Sequence, residues 1–184
     1  MSIKPDRWIR NMAQAHGMIQ PFEPNLVSGS VISYGLSSYG YDIRLADEFK
    51  IPVEGEGVLD PKQAAERTFV DRKAEKLDLV PQTFVLGRTV EYFSIPPNVL
   101  TLCVGKSSYA RCGVLVNVTP FEPGWTGHAT LCIANIGPRP VRLHAGEGIA
   151  QVLFFESDEP CEMTYADRQG KYQAQRAITP ARLG

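Results

Sequence analysis

PQTFVLGRTVEYFSIPPNVLTLCVGK, residues Pro81 to Lys106, decides the fold class. Three short apolar runs rich in β-branched and aromatic residues are separated by Gly, Pro and Asn, the pattern of successive strands. Downstream, VLVNVT (114–119), HATLCIAN (128–135), VRLH (141–144) and GIAQVLFF (148–155) continue at the short spacing expected of a barrel or jelly roll. KSSYARCG (106–113) is the exception: Ser107 or Ser108 is placed to cap one or two helical turns that Gly113 ends.

Upstream, VISYGLSSYGYDIRL (31–45) has the same strand-forming residues but is broken by glycine, which predicts short strands with tight bends. QPFEPNLVSGS (20–30) is punctuated as loop. At the N-terminus Pro5 suits an early helical position, Trp8, Ile9 and Met12 share a face, and Gly17 can close the helix. Residues 52–75 carry turn residues and charges with little periodicity, predicting a surface excursion with a strand near Thr68–Val70. From Tyr165 the chain is polar without a hydrophobic face, and by itself reads as a solvated tail. The expectation is one mainly-β domain over residues 1–184, with a helical segment in 1–20 and a tail in 165–184.

At 184 residues, 43% hydrophobic and 21% charged, the chain has the makings of an ordinary soluble domain. A net charge of −1 gives no general reason to expect nucleic acid or an anionic membrane as partner, so any anion site must be a local cluster. No apolar run is long enough to span a bilayer, and the first residues lack the apolar stretch of a signal peptide, so a cytoplasmic location is expected. Cys103, Cys112, Cys132 and Cys161 form no CxxC pair and read as reduced thiols.

Four stretches carry chemistry. In GHATLCIANIG (127–137), His128, Thr130, Cys132 and Ala134 alternate with Ala129, Leu131 and Ile133, giving a face that either lines a pocket or meets solvent. GKSSYARCG (105–113) places Lys106, two hydroxyls and Arg111 at a strand-to-helix junction that would suit a phosphate, or a solvated capped turn. In VTPFEPGWTGH (118–128), Pro120, Pro123 and Gly124 force a turn that presents Glu122 beside Trp125. GKYQAQRA (170–177) offers Lys171, Gln173, Gln175 and Arg176 as donors, with Tyr165 and Tyr172 as stacking surfaces. The zinc-deaminase signature H-x-E with P-C-x-x-C is absent, as is the G-x-x-x-x-G-K-[ST] phosphate loop.

Taken together, GKSSYARCG, VNVTPFEPGWTGH, EGIAQVLFFE and GKYQAQR, in this order and spacing, resemble the bacterial dCTP deaminases, and SSYGYDIR and RTVEYFSIP match as well. The resemblance covers essentially the whole chain and extends to the larger family that includes the trimeric dUTPases. It implies a dUTPase-like β-clip, a distorted β-barrel, assembled as a homotrimer with active sites between subunits. It implies a zinc-independent hydrolase acting on a cyclic amidine, which converts dCTP to dUTP and ammonia, with Mg²⁺ carried by the triphosphate and the C-terminus folding over the nucleotide. No nucleic acid or membrane partner is implied; dCTP, with dUTP and dTTP as further candidates, is the ligand. Carried over by motif position, Lys106, Ser107, Ser108, Tyr109, Ala110 and Arg111 would contact phosphates, with Ser107 and Arg111 helping to hold the catalytic water. Thr130 and Leu131 would read the cytosine edge through backbone groups, helped by the turn around Glu122. Gln151, Tyr165, Lys171 and Gln175 would complete the sugar and triphosphate contacts.

One position departs from the resemblance. The family strand reads T-L-E-F, its glutamate the proposed general base and acid, and here the position is Cys132. A carboxylate reaches two bonds further than a thiol, so a water placed for glutamate lies ~2–3 Å beyond the sulfur. A free thiol with a pKa of about 8.5 is mostly protonated near neutrality. Losing a positioned base slows a reaction by roughly 10²–10⁴-fold. Ile133 also departs from the usual aromatic, and AQRA stands where GQRG is usual, so linked departures favour natural divergence over a designed change. Four readings follow: an impaired deaminase, a nucleotide-binding regulator or partner subunit, a thiolate nucleophile towards a pyrimidine with Arg111 as the activating cation, and Glu122 as substitute base. A dUTPase is the poorer match, since Glu122 stands where that branch has aspartate but its glycine-rich C-terminal motif is missing.

Overall fold

The computed structural model describes residues 2–55, 58–62 and 68–181. Parts of the expected excursion (56–57 and 63–67) and the end of the tail (182–184) therefore lie outside the described residues. After a short β1 (Ser2–Ile3), α1 spans Asp6–His16. Ile9 and Ala13 bury its inner face, Asp6 faces the positive end of the helix dipole, and Trp8 packs on Phe154 with ring centroids 6.4 Å apart. Gly17, at φ 65°, closes the helix. The Gly17 N–H donates to Ala13 O at 3.1 Å and the Met18 N–H to Met12 O at 3.2 Å. No helix among the described residues is long and apolar enough to cross a membrane.

The rest is β: β2 (Ile19–Gln20), β3 (Gly35–Ser37), β4 (Gly40–Pro52), β5 (Phe69–Lys73), β6 (Lys76–Leu79), β7 (Thr83–Ser94), β8 (Val99–Gly105), β9 (Val114–Asn117), β10 (Thr126–Asn135), β11 (Val141–His144) and β12 (Gly148–Glu156), with the single-turn α2 (Ser107–Ala110) between β8 and β9. The main path runs β1-β12-β4-β7-β10-β9, with β8 on β12, β3 and β5 on β4, and β2 on β7; β6 and β11 form a separate pair. β4 links two half-sheets. Its first residues, Tyr41 to Arg44, pair with β12, and its later ones, from Leu45, pair with β7. Both halves feed one core that includes Ile43, Phe49, Phe93, Leu131, Ile133, Val152 and Phe154, all 1% exposed or less. Each such side chain contributes about 1.5–3 kcal/mol through burial.

Two local expectations change. Gly87 does not separate strands: it lies inside the twelve-residue β7, where a Cβ would come within 2.8 Å of Leu45 Cδ1. The first two apolar runs are thus one strand, and the glycine serves packing rather than a turn. Neither serine caps α2. Lys106 is the N-cap residue, its carbonyl accepting from the Ala110 N–H at 3.0 Å, which places Ser107 and Ser108 inside the turn.

Candidate functional site

β10 is the spine of the site. β7 pairs with it along most of its length, but β9 pairs only from Asn135 opposite Val114 to Cys132 opposite Asn117. Beyond Asn117 the chain leaves the sheet through Val118, Thr119 and Pro120, and returns at Trp125 after the Pro123–Gly124 turn. The divergence opens a cavity of about 450 Å³ whose walls include Thr130, Cys132, Phe121, Trp125, Tyr165 and Gln175. Phe121 holds the turn to the core, with ring centroids 5.0 Å from Phe93 and 4.9 Å from Trp125.

The alternation read from β10 holds over Ala129–Asn135: Ala129, Leu131 and Ile133 are buried in the core, and Thr130 and Cys132 line the cavity. Leu131 is buried in the core and does not line the cavity, whereas its neighbour Ala129 does. The face divides at its start, because the pairing with β7 jumps from His128–Tyr92 to Thr130–Arg88. His128 is carried into a different cavity, with Arg88, His144 and Glu147 on its walls. Its Nδ1 lies 3.1 Å from Glu91 O, and burial with the nearby Arg88 lowers its pKa, so it is neutral at pH 7.

The tail closes the cavity. Trp125 Nε1 donates to Tyr172 O at 2.9 Å, the His128 N–H to Gln175 O at 2.8 Å, and Gln175 Nε2 to His128 O at 2.8 Å. Gln175 Nε2 also reaches Thr130 Oγ1 at 2.5 Å, and the Thr179 N–H reaches the same oxygen at 3.1 Å. Gly127, at φ 146°, permits this approach, since a Cβ there would sit 3.0 Å from Gln175 N. Tyr165 folds in by accepting the Tyr172 N–H at 3.0 Å. Sequence reasoning missed Thr179 and the buried Ile178 beside it. The signal was the apolar isoleucine in an otherwise polar tail.

The ionisable groups are disposed against base chemistry. Burial raises the Cys132 thiol above its ordinary value, so it stays protonated at neutral pH. Glu122 lines the same cavity, but its Oε2 is held by Arg168 Nη2 at 2.9 Å. Lys171 Nζ sits 5.2 Å over the Tyr172 ring.

The remaining candidates gather elsewhere. Lys106 Nζ donates to Asp42 Oδ2 at 2.5 Å and to Ser33 Oγ at 2.9 Å. Gln151 Nε2 donates to the other Asp42 oxygen at 3.0 Å and to Ser37 Oγ at 3.1 Å. Asp42 is buried and fixes both donors, a role the sequence did not signal because β4 is buried on both faces there. In α2, Tyr109 turns into the core and its hydroxyl accepts the His144 N–H at 3.0 Å, while Arg111 is exposed and bonds Ser107 O at 3.2 Å. Among the described residues, neither residues 106–111 nor Gln151 line the Cys132 cavity. Within one chain Arg111 is therefore not the cation that activates the thiol. Among the described residues no three His, Cys, Asp or Glu side chains gather in a way that could hold a metal ion.

Comparison with known proteins supplies the context. A family model described as dCTP deaminase-like matches residues 3–157. The dCTP deaminase of Herpetosiphon aurantiacus is 59% identical over 100% of both chains. That of Cupriavidus metallidurans is 59% identical, covering 97% of this chain and 98% of its own. The crystal structure of 2'-deoxycytidine 5'-triphosphate deaminase from Agrobacterium tumefaciens superposes with a TM-score of 0.62 at 19% identity, over 83% of this chain and 47% of that one, which establishes a shared fold.

Proposed function

This chain belongs to the dCTP deaminase-like family, and from that premise we propose that it binds a pyrimidine deoxynucleoside triphosphate in the β10 cavity and deaminates dCTP to dUTP far more slowly than its relatives. The observation that carries this reading is Cys132: a neutral thiol stands on the cavity wall where the chemistry needs a carboxylate.

In the reaction, water adds to C4 of the cytosine ring, a proton leaves that water, and a proton reaches the departing amine. In the deaminases this chain resembles, a glutamate at the position of Cys132 is the proposed group for both transfers. A protonated thiol cannot accept the first proton, and it stops ~2–3 Å short of a water placed for glutamate. The expected loss is roughly 10²–10⁴-fold. Glu122 is the cavity's other acid, and its ion pair with Arg168 turns it away from a base's role. The thiolate reading loses support, because burial favours the S–H form and among the described residues no Lys or Arg lines the cavity. The observation at Cys132 equally favours the second reading, a nucleotide-binding homologue without turnover.

The two residue groups are halves of one site in this proposal. Thr130, Leu131, Glu122, Tyr165 and Gln175 supply the base and sugar half, and Lys106 to Arg111 with Gln151 supply the phosphate half of the next subunit. Support comes from β8, where Leu100, Leu102 and Val104 are exposed just before Lys106, with Leu115 exposed on β9. Such an apolar stripe suits a partner copy, and a homotrimer would join the halves. Mg²⁺ enters on the triphosphate as part of the substrate, without zinc. We read residues 1–184 as one domain of a cytoplasmic enzyme, with 165–184 closing over the bound nucleotide. Calorimetric titration with dCTP and Mg²⁺, together with light scattering, tests this: saturable binding by a trimer is expected, and no binding of any pyrimidine deoxynucleotide refutes it.

A further inference from the structure

The hydrogen bonds around Thr130 fix which groups it and Cys132 present to the cavity. Thr130 Oγ1 accepts two hydrogen bonds from the tail, from Gln175 Nε2 and from the Thr179 N–H, which engages both of its lone pairs. Its own proton is therefore left to donate. Two residues along the same face of β10, Cys132 presents a thiol, a weak donor while it keeps its proton. Tyr165, also on the cavity wall, accepts the Tyr172 N–H, so its phenol proton is likewise free for donation. The carboxylate of Glu122 is drawn to Arg168, and both amide hydrogens of Gln175 are spent on His128 O and Thr130. The side chains of Thr130 and Cys132 themselves thus offer hydrogens, and the amide oxygens of Asn117 and Gln175 are among the acceptors left on the cavity's other walls.

A 4-amino pyrimidine brings hydrogens of its own to Thr130 and Cys132. A 4-oxo pyrimidine brings an acceptor. We propose that the cavity is matched to a 4-oxo pyrimidine, so that dUTP binds in preference to dCTP. This inference rests on the reading of the β10 cavity as the pyrimidine site with ring position 4 towards Cys132. Donors left facing donors inside a site weaken binding by roughly tenfold or more. A site of this kind holds the deaminated nucleotide more tightly than the one it deaminates.

The test is calorimetric titration of the intact chain with dUTP and with dCTP, each with Mg²⁺ at one pH and salt concentration, checking that dCTP is recovered unchanged. The expected dissociation constant for dUTP is about tenfold or more below that for dCTP. Cys132→Gln, which supplies an acceptor without a group that takes the proton from water, should shift the ratio back towards dCTP by a similar factor, and Cys132→Ser, which keeps a donor, should preserve the dUTP preference. Equal or tighter binding of dCTP by the native chain overturns the preference and leaves the nucleotide site standing. Absence of binding with both nucleotides overturns the site as well. The native comparison needs no variant to fold.

Discussion

Ala174 is held at φ 56°, in the left-handed region, at the point where the tail enters the cavity. Its N–H donates to Thr126 O at 3.0 Å, and the next residue makes the parallel bridge between Gln175 and Gly127. The closed tail therefore requires this conformation. An L-residue with a Cβ pays ~1–2 kcal/mol to adopt it. Glycine avoids that strain but loses more backbone freedom on ordering, by roughly 0.5–1 kcal/mol. The net gain for Ala174→Gly is about 0.7 kcal/mol, which shifts closure by about threefold. Trypsin cleavage after Arg176 reads the open population when opening is fast relative to cutting. The variant should be cut about threefold more slowly, and the His128 amide, which donates to Gln175 O, should exchange more slowly by a similar factor. Ala177→Gly supplies the control, because Ala177 has no positive φ to relieve. Cleavage of Ala174→Gly at the native rate or faster would refute the idea that strain at this residue opposes closure.

Further outcomes follow from the same geometry. Gly127→Ala places a Cβ 2.9 Å from Trp125 Cζ2 and 3.0 Å from Gln175 N, so cleavage after Arg176 should accelerate by at least about fivefold. Arg44 Nε meets the fully buried Glu91 at 2.7 Å. Arg44→Met should lower stability by about 3–5 kcal/mol in urea denaturation, and the double variant Arg44→Met/Glu91→Leu should recover much of that loss. Iodoacetamide at pH 7.5, followed by peptide mass mapping, should label the exposed Cys112 and Cys161 first. Cys132, raised by burial, should lag, and Cys103, whose pKa is pushed up to about 12, should react last. Rapid labelling of Cys132 would revive the thiolate nucleophile.

What the sequence made legible was local. The period-two pattern of β10 placed Leu131 and Ile133 in the core and Thr130 and Cys132 on the opposite wall, because burial on one face writes directly into alternation. Gly17 and the apolar face of α1 were legible for the same reason. Features set by distant chain were not. The register jump that removes His128 from this wall depends on residues 89–91 of β7, and no pattern within β10 records it. The bond pair on Asp42 joins residues from β4, the end of β8 and β12, and only the folded sheet brings Lys106 and Gln151 to one carboxylate. The tail appeared solvated because it is held to β10 and the preceding turn by hydrogen bonds, several through the polar side chains of Gln173 and Gln175, and polar side chains read in sequence as solvated whether or not they find a protein partner.

The central claim is that Cys132 removes the proton-transfer group while the surrounding pocket persists. Ammonia release from dCTP with Mg²⁺, measured side by side for the native chain and Cys132→Glu, tests it most directly. The expected result is turnover in the native chain roughly 10²–10⁴-fold below that of the glutamate variant. Comparable turnover in the two proteins, at the rate of an ordinary deaminase, would contradict it.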